Sequence, residues 1–390
     1  MSKIDELLKE LCPDGVEWKT IKELFETRNG YTPSTKNSSF WTNGDIPWFK
    51  MEDIRDKGHI LSDAYSHITK SALKGKGLFK ANSIILATSA TIGEHALITV
   101  DHLSNQRFTN IFPKEKWVDK IHMKFVYYYM YLIDEWCKTH VKQGSFAAVD
   151  MDGFYKQEIP IPPLSIQQEI VEVLDTFTDA ISNLEEELAL RERQCEYYRS
   201  EFVDNNLYSE VKLKDVASYS KLKINASEVN KDTYISVENL LQNKAGKTES
   251  SCCPTNGKCI KFLPKDILIG NIRPYLKKIW FSDCEGGTNG DVLDIRVQSD
   301  KLDPKYLFEI LSSDNFFRYF NQHSAGGKMP RGDKNAVMNY SFCIPPIERQ
   351  QEIVEILDTF EAMIANIKEE IALRTKQYEY YREKLLSFGN

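Results

Sequence analysis

Ile161-Pro-Pro-Leu-Ser-Ile-Gln-Gln-Glu-Ile-Val-Glu-Val-Leu-Asp-Thr-Phe177 recurs as Ile344-Pro-Pro-Ile-Glu-Arg-Gln-Gln-Glu-Ile-Val-Glu-Ile-Leu-Asp-Thr-Phe360. The offset is 183 residues. It holds without a gap to Glu196-Tyr-Tyr-Arg199 and Glu379-Tyr-Tyr-Arg382, with 25 of 42 positions identical. Self-similarity at one long period marks a duplicated unit, and this period is too long for a solenoid. The same offset relates His140 to His323, Gly144 to Gly327 and Asp150 to Asp333. The duplication therefore reaches, more weakly, into the segment ahead of each motif.

After each Pro-Pro pair the pattern turns helical. Proline suits a helix start, and neither proline nor glycine interrupts Gln167 to Phe202. Leu174, Phe177, Ile181, Leu184 and Leu188 step by three and four, as do Leu357, Phe360, Ile364, Ile367 and Ile371. A sustained seam of that spacing is the pattern of a coiled coil. Helices of about 36 residues would be roughly 54 Å long. Two such helices in one chain are expected to pair with each other, antiparallel, because units related by a two-fold axis make a self-complementary interface. The competing arrangement packs each helix on its own domain. Arg191 and Arg374 fall on the seam, where they would pair with Glu187 and Glu370, fix the register, or reach out to solvent along their stems.

The segments ahead of the motifs read as mixed α/β with much loop. A short helix is expected over Ile4 to Leu11. Asp45–Lys50, Ser83–Thr88, Tyr234–Val237, Asp266–Ile269, Lys278–Phe281 and Val292–Val297 read as strands bounded by turn residues. Ile121–Lys138 and Lys305–Phe320 read as helices. The expected organisation is a first globular domain with a leader helix over 1–158, a helical arm over 159–206, a second globular domain over 207–342 and a second arm over 343–390. The fold class is α/β (α+β), with a pseudo-two-fold internal repeat. The arms match well and the domain cores poorly, so the arms meet one geometry while the domains serve different tasks.

Polar and basic loops occupy comparable places in both domains. In the first they offer Lys50, Ser89, Thr91, Gln106, Arg107, Lys142, Gln143 and Ser145. In the second they offer Arg273, Tyr275, Lys277, Lys278, Asn289, Lys328 and Arg331. Arg and Lys bond guanine edges and phosphates, and Gln and Asn bond adenine. Any one such loop is ordinary turn chemistry; their recurrence in both copies points to DNA. The whole-chain charge of −7, from 50 Lys and Arg against 57 Asp and Glu, is misleading here. The first arm, 161–202, carries 3 basic and 10 acidic residues and the second, 344–385, carries 6 and 9. The region 203–343 is net positive, with 20 and 17, and 1–160 is neutral.

Other chemistry finds little support. There is no G-x-x-x-x-G-K-[ST] phosphate loop. Both Pro-Pro pairs follow Ile, unlike the N/D-P-P-Y/F motif of amino-methyltransferases. Asp14, Glu17 and Lys19 are too closely spaced for a nuclease cluster. Cys252, Cys253, Cys259 and Cys284 lack C-x2-C spacing and a nearby His, so no metal site is expected. His140 and His323 lack a nucleophile or partner, so turn stabilisation is their expected role. No catalytic residues are expected. The charged start Met1-Ser-Lys-Ile-Asp-Glu6, eight cysteines and the lack of a long apolar run suit a cytoplasmic protein with reduced thiols and no membrane partner.

The repeated I-P-x-P-P-[L/I]-x-x-Q-x-x-I entry, at Ile159–Ile170 and around Ile344–Ile353, resembles the specificity subunit of type I restriction-modification systems. Leu11-Cys-Pro-Asp-Gly-Val-Glu-Trp18 and the Thr88-Ser-Ala-Thr-Ile-Gly93 turn are similar to that family too; the second domain has Ile272-Arg-Pro-Tyr275 in place of the turn. The resemblance implies two target-recognition domains that each read half of a bipartite site in double-stranded DNA. It also implies antiparallel coiled-coil arms that set their separation. Two modification subunits would methylate adenine with S-adenosylmethionine, and restriction subunits would translocate and cleave DNA with ATP and Mg. This chain would hold no cofactor and would not itself be a catalyst. With both readers on one face of the duplex, half-site centres would lie roughly 10 bp apart. The alternative is a coiled-coil adaptor whose domains bind proteins.

Overall fold

A computed structural model describes residues 3–75, 77–142, 147–203 and 208–388, although side-chain detail at 203 is left aside. The chain divides into two compact units. One comprises Met1–Ser182 with Leu373–Asn390, and the other comprises Asn183–Ala372. The division falls within the arms, so each unit contains a stretch of both long helices.

The arms are uninterrupted 40-residue helices, Leu164–Val203 and Ile347–Leu386. Each starts straight after its Pro-Pro pair: the amides of Ile166 and Gln167 donate to Pro163 O, and those of Arg349 and Gln350 donate to Pro346 O. At 1.5 Å per residue each is about 60 Å long. In the first unit Phe177 stacks on Tyr381 with ring centres 5.2 Å apart. In the second, Tyr198 stacks on Phe360 at 5.4 Å. These are the same two repeat positions with their partners exchanged, and they put the start of each arm beside the end of the other. The pairing is therefore antiparallel. Packing on the domains also occurs. Ile166, Ile170 and Leu174 enter the first unit's core, and Ile353 and Leu357 enter the second's. The two arrangements weighed from sequence thus coexist. Of the seam arginines, Arg191 pairs with Glu187 at 3.4 Å, and Arg374 donates to Gln377 at 3.1 Å.

In the first unit, a five-stranded sheet runs in the order Phe25–Asn29, Phe108–Pro113, Ser83–Ala87, His95–Ile98, Ile60–Leu61, antiparallel but for the last pair. Ile84, Leu86 and Leu97 face the helix Met123–Thr139, whereas Ile85, Ala87 and Ile98 face Phe49 and Ile54. Burial on both faces explains why Ser83–Ala87 is apolar without alternation. In the second unit, Ala217–Tyr219, Val292–Val297, Ile267–Gly270 and Ile279–Phe281 form an antiparallel sheet. Its Ile267, Ile269 and Ile295 pack on Tyr306, Ile310 and Phe316, while Leu268 and Val292 face Phe262 and Ile235. The expected single helix over Lys305–Phe320 is two, Pro304–Ser312 and Asp314–Gln322. Ser313 stays extended between them, and its hydroxyl caps the Phe316 amide.

Each domain is closed where its chain enters and leaves. Trp18–Thr20 pairs antiparallel with Glu158–Pro160, and Glu210–Lys212 with Ser341–Cys343.

Candidate nucleic-acid interface

The repeat holds at atomic detail where the sequences have diverged. In the first unit the amide of Thr88 donates to Arg107 O at 3.1 Å, and that of Val149 donates to Thr88 O at 3.0 Å. In the second, the amide of Asn271 donates to Asp291 O at 2.8 Å, and that of Gly332 donates to Asn271 O at 3.1 Å. Ser89 bridges Ala148 in one and Ile272 bridges Arg331 in the other, again 183 residues apart. Asn105 folds its loop by accepting the Arg107 amide on its side chain, as Asn289 does for Asp291. Three loops are thus cross-linked in each unit. They are 88–93, 105–107 and the paired strands Val141–Lys142 and Ala148–Val149 in the first, and 271–277, 289–291 and the paired strands Ser324–Ala325 and Arg331–Gly332 in the second. These strand pairs are entered alike: His140 Nδ1 lies 3.0 Å from Trp136 O and His323 Nδ1 lies 2.8 Å from Tyr319 O. Their carbonyls accept the amides of Asp150 and Asp333, both at 3.0 Å. Both histidines stabilise a turn.

The loops bring together most of the residues singled out from sequence. In the first unit Ser89 and Thr91 are half-buried in the turn around Ala90, whose φ is +70°. Gln106 and Arg107 are exposed at the neighbouring loop tip; Gln106 meets Thr32 Oγ1 at 2.5 Å. Arg107 has no carboxylate partner among the described residues. Lys50 joins this edge through the Asn105 amide, which donates to Phe49 O. Its ammonium is held by Glu52 at 2.5 Å. Lys142 is similarly held between Asp150 and Asp152, at 2.6 and 3.0 Å. Gln143 and Ser145 lie outside the described residues.

In the second unit Arg273, Tyr275, Lys328 and Arg331 are exposed and Asn289 is half-buried. Arg331 is steadied by Asp291 at 3.1 Å. Among the described residues Arg273 and Lys328 have no acidic partner. Lys277 and Lys278 are engaged within the unit. Lys277 Nζ lies 2.7 Å from Asp314, and Lys278 Nζ donates to Val237 O at 2.6 Å. Burial lowers the Lys278 pKa.

Sequence reasoning missed the residues that join domain to arm. Gln167 is fully buried and makes three hydrogen bonds. It accepts the His122 amide and donates to Lys120 O and Pro162 O. Gln350 does the same with Asp303, Lys301 and Pro345. Eight residues further along each arm, Asp175 binds Lys124 at 2.7 Å and Asp358 binds Lys305 at 3.2 Å. Their identity in both motifs was the available signal. Among the described residues the His, Cys, Asp and Glu atoms close enough for a shared metal belong to Glu309, Asp358 and Glu361. Arg199 and Lys305 already lie on that cluster, at 3.0 Å from Glu309 and 3.2 Å from Asp358. The four neighbouring cysteines form no such group among the described residues; Cys253 and Cys259 pack in a small apolar cluster instead. No helix among the described residues is long and apolar enough to cross a membrane.

Two domains with one loop framework and paired antiparallel helices define a duplicated two-domain architecture. The model of the type I restriction modification DNA specificity domain matches twice, over residues 13–190 and 205–373, and the chain belongs to that family. It is 35% identical over 394 residues to the Type I restriction enzyme EcoprrI specificity subunit of Escherichia coli, covering 95% of this chain and 93% of that one. The S subunit of a type I restriction-modification system from M. genitalium has a similar structure, with a TM-score of 0.55 and 12% identity, covering 95% of this chain and 96% of that one. A chain from a structure of type I system complex assembly and conformational transition matches with a TM-score of 0.62 and 16% identity, covering 96% and 97%.

Proposed function

We propose that the chain is the DNA-reading subunit of a type I restriction-modification complex. The domains of 1–158 and 207–342 would each read one half of a bipartite site, and the arms of 159–206 and 343–390 would set the unread gap. The observation that carries this reading is the doubled three-loop framework. It holds Gln106 and Arg107 in one unit and Arg273 and Arg331 in the other on backbones that share their hydrogen bonds but not their side chains. One scaffold with two side-chain sets is what two different half-sites require, since base edges are read by side chains.

The arms favour two copies of one partner. Leu190 and Leu373, repeat-equivalent, are 58% and 55% exposed, and Tyr197 and Tyr380 are 63% and 58% exposed. Each pair sits seven residues apart on one helix face, and large exposed apolar side chains preserved in both copies suit a protein partner. Two modification subunits docked there would bring S-adenosylmethionine and flip the target adenine. Restriction subunits would add ATP- and Mg-dependent cleavage. Transfer chemistry belongs to these partners and recognition to this chain, in the cytoplasm where the DNA lies. The adaptor alternative has no observation in its favour beyond these same exposed residues.

Footprinting of the complex with its modification partner, joined to sequencing of methylated adenines, tests the reading. Two short sequences with a fixed gap are expected. One contiguous site, or none, would refute it. Removing four residues from each arm should shorten the gap and leave both half-sites unchanged.

A further inference from the structure

In the second unit the turn that bears Arg273 is conformationally costly. Arg273 and Lys277, at the two ends of Pro274–Leu276, have φ of +53° and +49°. Left-handed backbone at a non-glycine residue is strained and persists only where its surroundings impose it. The imposed geometry is visible here. Arg273 N donates to Pro330 O at 2.8 Å. Asn243 and Lys244, themselves at φ +54° and +63°, donate their amides to Leu276 O and Lys277 O, both at 2.9 Å. An ionic chain backs this interlock. Lys277 Nζ lies 2.7 Å from Asp314 Oδ1; Lys244 Nζ lies 3.2 Å from that oxygen and 2.8 Å from Glu196 Oε2 on the arm. The Asp314 amide donates to Glu196 Oε1 at 2.8 Å. Two acids and two ammonium groups, all partly shielded from solvent, thus alternate from arm to turn.

We propose that Asp314, with Glu196 behind it, is a positioning residue for DNA recognition. It pins Lys277 and Lys244, and so fixes the strained turn that aims Arg273 at the half-site read by this unit. Arg273 is then the base-reading side chain, and Lys277 is a tether rather than a phosphate contact. This rests on the DNA-reading assignment above. The geometry supports the division of labour: Lys277 is spent on Asp314, whereas Arg273 is exposed with no acid beside it among the described residues. The repeat-equivalent of Arg273 is Ala90, also left-handed at φ +70°. The first unit therefore keeps the bend without a reading side chain at that position.

The test uses the complex with its modification partner and DNA carrying single mismatches in either half-site. Asp314→Asn and Lys277→Gln should both lower discrimination in the second unit's half-site about tenfold, the size of one bidentate base contact. Discrimination in the first unit's half-site and the salt dependence of binding should not change. Arg273→Ala should lose the same discrimination, and adding Asp314→Asn to it should lose little more. If Lys277 were instead a phosphate contact, Lys277→Gln would weaken binding to all sequences and reduce the salt slope by about 1. Asp314→Asn would then strengthen binding generally. That pair of results, or unchanged discrimination in a complex that retains its normal melting temperature, overturns the proposal. Loss of bipartite specificity in the unmodified complex would instead refute the DNA-reading assignment itself.

Discussion

Asp294 shows how far one buried group can depart from its repeat counterpart. It pairs opposite Leu268 as Asn110 pairs opposite Ile85, so the two occupy one site in the two sheets. Asn110 is fully bonded, to His102, Ser104 and the Arg28 carbonyl. The Asp294 carboxyl is buried beside Ser220 and the Asp266 carboxylate, without the well-formed bonds that Asn110 makes. Burial, and then the charge of Asp266, push its pKa from 3.8 up to about 8. The native state therefore keeps a proton that the unfolded chain releases near pH 4. Stability from this group is full below that pH and is lost progressively as pH rises through about 8. Asp294→Asn should flatten this loss and raise stability at pH 8 by on the order of 2 kcal/mol, with little gain at pH 4. Thermal unfolding at the two values checks it, and equal gains at both would contradict the protonated state. A second residue-scale expectation concerns Gln167 and Gln350. Replacing either by Ala strands a buried amide and two carbonyls, and should cost about 2–4 kcal/mol. Denaturant unfolding of the two variants should give similar losses, because the bonds are the same.

At the scale of elements, the arms are not uniform along their length. Their first turns are domain core, with Leu174 and Leu357 at 0% exposure. Further along, Leu184, Leu188, Ile367 and Ile371 are only half-buried, as in a two-helix seam with solvent on either side. Leu357→Ala should therefore cost about 3–4 kcal/mol, whereas Leu188→Ala should cost about 1–2. Calorimetry on both variants checks the difference. Equal costs would mean that the seam and the domain junction are packed alike. The arm helices were legible from spacing and Pro-Pro starts alone, since periodicity is a local property. The helix break at Ser313 was not, because Lys305–Phe320 stays apolar at helical spacing through it. The short strands His95–Ile98 and Gly286–Thr288 were missed because three or four residues carry no readable period.

At the scale of the molecule, each compact unit is completed by residues from both arms. Tyr378 and Leu386 belong to the first unit's core, and Ile353 and Leu357 to the second's. A chain ending before Ile347 should lose structure in both units, although the second arm follows both globular domains in sequence. Hydrogen exchange on that truncation should show reduced protection in the sheets of each. Protection lost from the second unit alone would contradict it. Exchange of 211–343 for the same segment of a relative should alter one half-site only, read out by methylated-adenine sequencing, because each three-loop framework is bonded within its own unit.

The duplication, the long helices, their seam and the family resemblance were all determined by the chain's local pattern. So was the set of loops in which polar and basic residues gather. Which of those residues are available was decided only by tertiary structure. Lys50, Lys142 and Lys277 resemble Arg107 and Arg273 in sequence, but Glu52, Asp150 and Asp314 stand within 3 Å of the former. The Lys50 pair is local, but Asp150 and Asp314 reach their lysines only where the chain turns back or crosses, and the spacing of the charges contains no record of those meetings. The likeness of the two loop frameworks was hidden for another reason. It resides in backbone amides and carbonyls, which every residue carries and which side-chain comparison cannot see.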